Sequence, residues 1–243
     1  LTINNFSSLV MKNRWVVPDI HGHIKTLRTL IEERLELQKS DSIYFLGDYI
    51  DRGPDSKGVL DYIMSLQSLG YDVHCIRGNH EDYCIRAWEE DQKRLFFRSP
   101  VEKDWRNNGA NRTLASFGVK RPREINKFYI DWMKSTEYYI ELEDYILVHA
   151  GMNFTIDNPF KDHRSMMWVR DFKVDKSKTG GKTVLHGHVP VEMSLIDLFR
   201  DNNYDFLSLD NGVYYKHKDG FGNLLAFNLD TKEIIIQPNI DIE

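Results

Sequence analysis

The sequence is poor in cysteine, with only Cys75 and Cys84 among its 243 residues. The two do not form a CxxC pair, and each has apolar or aromatic neighbours. So few cysteines exclude a disulfide framework and a cysteine-rich structural zinc site. Both residues are therefore predicted to be reduced and to serve in packing, which suits a cytoplasmic chain.

Long apolar runs are also missing. No stretch approaches the roughly 18 apolar residues of a membrane span, and the N-terminus lacks the basic-then-apolar order of a signal peptide. Proline and glycine are few, at 7 and 15, as in an ordinary globular chain. The formal charge of -5 argues against a general nucleic-acid or membrane binder. We expect a soluble cytoplasmic protein with no membrane partner and no specific nucleic-acid partner.

The length of the chain suits a single domain. A Met stands at position 11, just before the first predicted strand, so residues 1–10 are interpreted as an N-terminal extension. Residues 11–243 are predicted to form the domain. A mostly helical and basic insert at about residues 91–140 divides its polar motifs into two groups.

One local pattern occurs five times: a short β-branched or aromatic run ends in a loop rich in Asp, His, Asn and Gly. The runs are predicted strands at residues 15–17, 43–46, 73–76, 145–148 and 183–185. Apolar residues with helical spacing, at 24–35 and 59–69, separate the first three. The β-α-β-α-β order predicts a largely parallel sheet whose carboxyl-end loops all open on one edge.

After about residue 204 the pattern changes to short strands and turns. Strands are predicted at residues 206–209, 213–215, 224–229 and 234–236, with a turn at Asn211-Gly212. Short strands separated by turn residues favour hairpins. We therefore expect a second, more antiparallel sheet that packs on the first.

Side chains that bind metals follow the five predicted strands. They are Asp19, His21, Asp48, Asn79, His149 and His188. Carboxylates, imidazoles and an amide suit first-row divalent ions such as Mn, Fe or Zn. Each residue alone is weak evidence, since Asp after a strand is most often a turn or helix-capping residue. Together on one edge they predict two divalent ions, bridged by one Asp, that activate water in a hydrolase.

Five motifs resemble those of the phosphoprotein phosphatase family of calcineurin-like metallophosphoesterases, particularly its compact bacterial and phage serine/threonine phosphatases. They are PDIHG at 18–22, GDYIDRG at 47–53, GNHE at 78–81, HAG at 149–151 and HGHVP at 186–190. The resemblance implies an α/β/β/α sandwich of two mixed sheets flanked by helices. One departure is Pro18, where the family normally has Gly. Proline lacks a backbone donor, and we expect it to be harmless if the strand ends before it.

The resemblance also implies which ion each residue binds. Asp19 and His21 would bind the first ion, and Asp48 would bridge both. The second ion would be held by Asn79, His149 and His188. The family pattern places the ligand on the second histidine of His186-Gly187-His188, so His186 is interpreted as a neighbour that hydrogen-bonds or packs.

The remaining matches concern catalysis. By resemblance His80 would be the general acid that protonates the leaving oxygen, and Asp51 would hold its imidazole charged and correctly aimed. A nearby carboxylate raises the pKa of an imidazole, which then supplies a proton near neutral pH. Arg52 and Arg170 resemble the arginines that bind the phosphate oxygens. For Arg170 a surface salt bridge is the alternative interpretation.

The reaction is predicted to be direct in-line attack by a metal-bridging hydroxide, without a phosphoenzyme. Neither cysteine lies in a phosphate-cradling loop, and no serine lies in a nucleophile motif. Residues 92–127 hold ten basic and three acidic residues, a local charge of +7. This charge either steers an anionic substrate or forms a solvated face. The WRNNGAN stretch at 105–111 resembles a loop near the metals in the bacterial members.

The expected partner is a phosphorylated protein or a small phosphoester. A phosphoserine or phosphothreonine phosphatase is favoured, because diadenosine tetraphosphate hydrolases resemble GDLVARG, with Ala in place of Asp51, and GNHD. Hydrolysis of a nucleotide or of diadenosine tetraphosphate is the alternative, since the basic insert suits several phosphates. A nuclease-like phosphodiesterase is disfavoured, because those relatives have a further His where Pro190 stands. A metal-bound scaffold without turnover is disfavoured by the presence of His80, Asp51 and Arg52.

Overall fold

The computed structural model describes residues 12–93, 97–215 and 217–241, so the predicted extension at 1–10 lies outside the described residues. The strands are β1 (Arg14–Val17), β2 (Ser42–Phe45), β3 (Asp72–Cys75), β4 (Tyr139–Glu141), β5 (Tyr145–Val148), β6 (Thr183–His186), β7 (Phe206–Ser208), β8 (Asn223–Asn228) and β9 (Ile234–Pro238). The α-helices are α1 (Ile24–Arg28), α2 (Ser56–Ser68), α3 (Asn79–Asp91), α4 (Pro100–Asn107), α5 (Ala110–Ser116), α6 (Lys127–Ser135), α7 (His163–Trp168), α8 (Lys176–Thr179) and α9 (Met193–Asp201). A π-helical turn, Thr29–Arg34, continues α1, and Pro122–Glu124 and Pro159–Lys161 form 3-10 turns.

The five strands that precede polar loops are confirmed to within one residue at each end. Both predicted helices are confirmed as well, the first as α1 with its π-helical continuation and the second as α2. Helix α2 begins after Asp55, whose side chain accepts a hydrogen bond from the Gly58 amide at 2.8 Å. It ends at Ser68, before Gly70. The insert contains α4, α5 and α6 and ends in β4.

The strands form two mixed sheets. The first has the order β3-β2-β1-β8-β9, in which β1, β2 and β3 are parallel and β8 and β9 are antiparallel to their neighbours. The second has the order β4-β5-β6-β7, in which only β4 runs antiparallel to its neighbour. With helices on the outer faces, the predicted α/β/β/α sandwich is confirmed.

Two expectations about the sheets are wrong. Strands β5 and β6 do not join β1 to β3, and the C-terminal hairpin β8–β9 does not form the second sheet. The hairpin instead covers the open edge of β1, where Val16 pairs with Phe227. Strand β5 pairs with β4 and β6 instead, and it buries Leu147 in the cluster between the sheets and Ile146 in another cluster on its other face.

The predicted strand at residues 213–215 is also wrong, because this stretch lies in a turn. The Asn211 side chain donates to the carbonyls of Val191, at 3.0 Å, and Gly220, at 2.8 Å. Gly212 has a φ of +63°, in the left-handed region. Side-chain bonds to the backbone therefore replace a strand ladder here, and the turn brings Tyr214 next to the polar loops.

Alternating residues of each strand face different apolar clusters. In β1, Trp15 and Val17 pack with the helices, whereas Val16 packs between the sheets. Because the sheets lie face to face, the loop after β2 contacts the loop after β5. The imidazole Nδ1–H of His149 donates to the Leu46 carbonyl at 3.0 Å. The polar loops thus meet across the two sheets rather than along one.

Both cysteines are buried and free, as predicted from the sequence. Within the described ranges, every helix is too short or too polar to cross a membrane.

The position of the β8–β9 hairpin can be tested by measuring how much two of its residues contribute to the free energy of unfolding. Phe227 is 2% exposed and packs between the sheets, so Phe227→Ala is expected to lower the free energy of unfolding by about 3–5 kcal/mol. Ile236 on the same hairpin is 38% exposed, and Ile236→Ala should cost about 0.5 kcal/mol or less. Urea unfolding of both variants measures the difference. Equal small losses would contradict the placement of Phe227.

Candidate metal centre

The polar loops are joined by backbone hydrogen bonds. The amides of Ile20 and His21 donate to the Asp48 carbonyl at 3.1 and 2.8 Å. The Gly187 amide donates to the His149 carbonyl at 2.8 Å. These bonds hold the loops after β1 and β2 together, and likewise those after β5 and β6.

Two groups of buried ligand atoms share one carboxylate. The first group contains His21, Asp48 and His80, and the second contains Asp48, His149 and His188. Within each group the atoms lie within 4.8 Å of one another. A carboxylate common to two groups is the arrangement of a bridged pair of ions.

Asp48 and its neighbours leave several acceptor atoms facing each other. Because His149 donates its Nδ1–H to a carbonyl, its Nε2 carries a lone pair in the neutral ring. That Nε2 lies 3.0 Å from Asn79 Oδ1 and 3.4 Å from Asp48 Oδ1. Burial lowers the pKa of His149, which keeps the ring neutral. Three acceptors at such distances repel unless a cation lies between them, so these residues fit a metal ion.

His188 supports the same conclusion. Its Nε2 is buried without a hydrogen-bond partner among the described residues, which is unusual for a polar atom. Burial and the neighbouring His149 lower the pKa of His188 to about 3, so the ring is neutral, as a metal ligand must be. The Nε2 atom of His186 is likewise buried without a partner among the described residues, but its ring packs against that of Phe172 at 5.2 Å and it belongs to neither group.

Asp19 lies beside the groups rather than in them. Its carboxylate oxygens accept the His188 amide at 2.9 and 3.1 Å. Burial, together with the negative charges of Asp210 and Asp48, raises the pKa of Asp19 well above its usual value. Strand β1 ends at Val17, so Pro18 removes no ladder hydrogen bond.

Asp210 is a buried carboxylate that the sequence interpretation missed. Its Oδ1 accepts the Gly212 amide at 2.7 Å, and its Oδ2 has no partner among the described residues. Burial raises the pKa of Asp210 to about 7. Asp210 comes two residues after the end of β7, a position like those of the predicted ligands after their strands. The Asn211-Gly212 pair next to it is typical of a hairpin turn, so the sequence pattern does not mark Asp210 as a site residue.

His80 and Asp51 form a buried pair. The Nδ1–H of His80 donates to Asp51 Oδ2 at 2.6 Å. Burial alone would lower the pKa of His80, but the Asp48 carboxylate and the bond to Asp51 outweigh it, so the pKa lies above its usual value. The Nε2 atom lies 3.8 Å from Asp48 Oδ2, within the first group. The arrangement can hold a proton next to the bridging carboxylate.

The two predicted phosphate-binding arginines lie in different environments. Arg52 donates to Nε2 of His21 at 2.7 Å, and its guanidinium also lies 3.2 Å from Nε2 of His80. Its guanidinium also lies 4.3 Å above the ring of Tyr214. An ion on His21 Nε2 therefore requires Arg52 to turn away, because that lone pair binds one partner. Arg170 is exposed, and its positive charge helps to lower the pKa of His188.

Glu81, the last residue of GNHE, ties the loop after β2 to the start of α3. Its carboxylate accepts the amides of Asp48 and Tyr49 at 2.9 Å and that of Gly78 at 3.0 Å. A Cβ on Gly78 would lie 2.1 Å from Asp48 Oδ1, so only glycine fits there. These contacts determine where the Asp48 carboxylate lies.

Backbone strain is concentrated at this site. Eight described residues other than glycine have positive φ angles, and five of them belong to these loops. The five are His21, Asp48, Asp51, Arg52 and His188. Left-handed backbone costs free energy in such residues and persists where the surroundings enforce it. The conformations therefore depend on the contacts described above.

The fold and the two groups of ligand atoms are typical of the metallophosphoesterase class. More particularly, the chain belongs to the calcineurin-like phosphoesterase family, whose model matches residues 13–222. Members of this family use divalent metal ions.

Curated relatives of two kinds are similar to the chain. The symmetrical bis(5'-nucleosyl)-tetraphosphatase of Pseudomonas putida (strain W619) is 24% identical over 140 residues, which cover 57% of this chain and 42% of the relative. Serine/threonine-protein phosphatase 2 of Escherichia coli (strain K12) is 33% identical over 85 residues, which cover 35% of this chain and 37% of the relative. The chain thus spans about two fifths of the length of these relatives.

Solved structures show the same fold. A protein serine/threonine phosphatase from Saccharomyces cerevisiae has a TM-score of 0.62 and 15% identity, over 98% of this chain and 82% of that chain. A metallophosphoesterase from Sphaerobacter thermophilus has a TM-score of 0.55 and 15% identity, over 93% and 87%. At these identities the likeness concerns the fold alone.

The sharing of Asp48 predicts unequal losses of metal. The wild-type chain should bind about two divalent ions, and Asp48→Asn should lose both. His21→Asn and His188→Asn should each lose about one, because each belongs to one group. His186→Asn is the matched control and should keep both. Metal analysis of purified, folded variants measures the ratios, and an Asp48→Asn protein with a full complement would contradict the shared site.

Proposed function

We propose that the protein is a dinuclear metal-dependent phosphatase that hydrolyses phosphate monoesters, with phosphoserine and phosphothreonine in proteins as its substrates. The observation that carries the proposal is the buried His80–Asp51 pair directly beside the shared Asp48. A proton donor next to a bridged metal pair is what hydrolysis of an alkyl phosphate requires.

The ions would be held by the residues that the sequence singled out. Asp19, His21 and Asp48 would bind the first, and Asp48, Asn79, His149 and His188 the second. Donors of nitrogen and oxygen without thiolate suit Mn²⁺, Fe and Zn, and Mn²⁺ is the ion that we propose. Once bound, the ions supply a water-derived nucleophile and polarise the phosphoryl group, and no phosphoenzyme forms.

The other residues bind the substrate and move a proton. Arg52 and Arg170 would bind the phosphate oxygens, since a planar guanidinium pairs with two of them at once. His80 holds its Nδ1–H on Asp51, so its Nε2 is the atom that can deliver a proton to the leaving oxygen. Asp51 keeps the imidazole in that tautomer and stabilises its positive charge.

The nature of the leaving group favours serine and threonine esters. An alkoxide is a strong base, and its departure is slow without protonation. A leaving nucleotide carries its negative charge on phosphate oxygens and needs no such donor. The His80–Asp51 pair is therefore of most use to an enzyme that acts on alkyl phosphates.

A second candidate is hydrolysis of diadenosine tetraphosphate or another nucleotide. It is supported by the likeness to the tetraphosphatase of Pseudomonas putida and by the basic residues at 92–127. A cytoplasmic location is part of both proposals, because two free buried cysteines suit a reducing compartment.

A hydrolysis panel separates the two candidates. The protein, reconstituted with Mn²⁺, is assayed on a phosphoserine peptide, diadenosine tetraphosphate and an aryl phosphate. We expect turnover of the peptide and of the aryl phosphate. Turnover of the dinucleotide alone would replace the first candidate with the second, and a metal-loaded protein inert on all three would refute both.

Replacing His80 tests its role as a proton donor. His80→Asn is expected to lower turnover of the phosphopeptide by roughly 10²–10⁴-fold, as a lost general acid does. Metal content should be unchanged although His80 lies in the first group, because Asp19, His21 and Asp48 would hold the first ion. Steady-state kinetics with metal analysis check both expectations. A variant with full activity would remove His80 from the mechanism.

A further inference from the structure

Asp51 is held by a segment that the metal ligands do not explain. Its carboxylate is fully buried, and donors contact both of its oxygens. Oδ2 accepts the indole Nε1–H of Trp105 at 2.7 Å, beside the bond from His80 at 2.6 Å. Oδ1 accepts the hydroxyl of Thr113 at 2.5 Å. The contacts come from α4 and α5, which lie in the basic insert.

The insert packs closely on the loop that carries Asp51. The turn between α4 and α5 passes through Gly109, whose φ is +114°. A Cβ there would lie 2.9 Å from the Arg52 amide nitrogen. The Asp51 amide itself donates to Thr113 Oγ1 and to Ser56 Oγ, each at 2.9 Å. The left-handed backbone at Asp51 and Arg52 is thus in contact with α5, with this turn and with Ser56 of α2.

Trp105 differs from an ordinary core tryptophan in the acceptor of its indole N–H. It is among the largest fully buried side chains. Trp88 in α3 satisfies its indole N–H with a backbone carbonyl, that of Ile125, at 3.0 Å. Trp105 instead donates to the one carboxylate oxygen that also receives His80. With Thr113 on the other oxygen, neither rotation nor tilt of the Asp51 carboxylate is free.

We propose that Trp105 and Thr113 are positioning residues that aim His80 at the leaving oxygen through Asp51. The inference rests on the proposed function, since it concerns the same proton donor. Two donors hold the Asp51 carboxylate in one orientation. Because His80 donates its Nδ1–H to this carboxylate, the plane of the imidazole and the direction of its Nε2 are then fixed as well. A small misplacement of a proton donor costs rate without changing substrate binding.

The test uses two substrates that differ in their need for a proton. The Mn²⁺-loaded protein is assayed on a phosphoserine peptide, whose alkoxide must be protonated, and on p-nitrophenyl phosphate, whose phenolate departs unaided. Trp105→Phe keeps an aromatic ring and removes the N–H, and the loss of volume is the same as in Trp88→Phe. It should lower kcat on the peptide by about tenfold, part of what a general acid supplies, and leave KM and the aryl phosphate nearly unchanged. Trp88→Phe, the matched control, should affect neither substrate.

Thr113 provides an independent pair of variants. Thr113→Val removes the hydroxyl at almost constant volume and should reproduce the selective loss on the peptide. Thr113→Ser keeps the hydroxyl and should restore most of the activity. Thr26→Val is the control. The hydroxyl of Thr26 also donates a buried hydrogen bond to a carboxylate distant in sequence, that of Asp241, at 2.6 Å. Thermal melts show whether each variant is folded.

A double variant isolates the path through His80. In a His80→Asn background, Trp105→Phe should cause no further loss on the peptide, because residues that act as one unit are not additive. A further loss there, or equal losses on both substrates in the single variants, would overturn the inference and leave Trp105 a packing residue. A metal-loaded wild type inactive on both substrates would instead overturn the proposed function, and this inference with it.

Discussion

The structure of the site depends on one buried carboxylate, that of Asp48. Burial alone would raise its pKa, but His149, His80 and the other imidazoles around it lower the pKa instead, so the group is ionised. A buried charge needs compensation from nearby groups or ions. Here Glu81 holds the loop amides, glycine at position 78 leaves room, and the backbone at Asp48 is left-handed with a φ of +50°. Each of these features serves to bring a single carboxylate between the imidazoles of the two groups.

The division into two sheets has a direct consequence for this carboxylate. Asp48 follows β2 of the first sheet, whereas His149 and His188 follow β5 and β6 of the second. The distance between the two groups of ligand atoms is therefore set by the packing of the sheets. The bond from His149 to the Leu46 carbonyl crosses that interface and orients the imidazole at the same time. Apolar packing between the sheets and the geometry of the site are coupled.

The sequence predicts the ends of the strands well but not their partners. The continuous apolar run of β5 indicates that both faces are buried, yet it carries no information on which strand lies alongside. The hairpin pattern of β8 and β9 likewise predicts that they pair with each other but not which sheet they join. Asp210 was missed because a turn signal masked its position after β7. The contacts of Trp105 and Thr113 with Asp51 span 54 and 62 residues of chain, and only the folded packing of α4 and α5 creates them.

The basic insert illustrates the difference between charge pattern and structural role. Its excess of positive charge suggested either electrostatic steering or a solvated face. Several of these cations are paired with buried carboxylates, as Arg106 is with Glu102 and Arg121 with Asp91, so part of the positive charge is already neutralised within the insert and with α3. The contacts that reach the site come instead from an indole and a hydroxyl, which carry no charge. In a buried site, two neutral donors on a carboxylate orient it more sharply than distant cations can, because hydrogen bonds are directional and Coulomb forces are not.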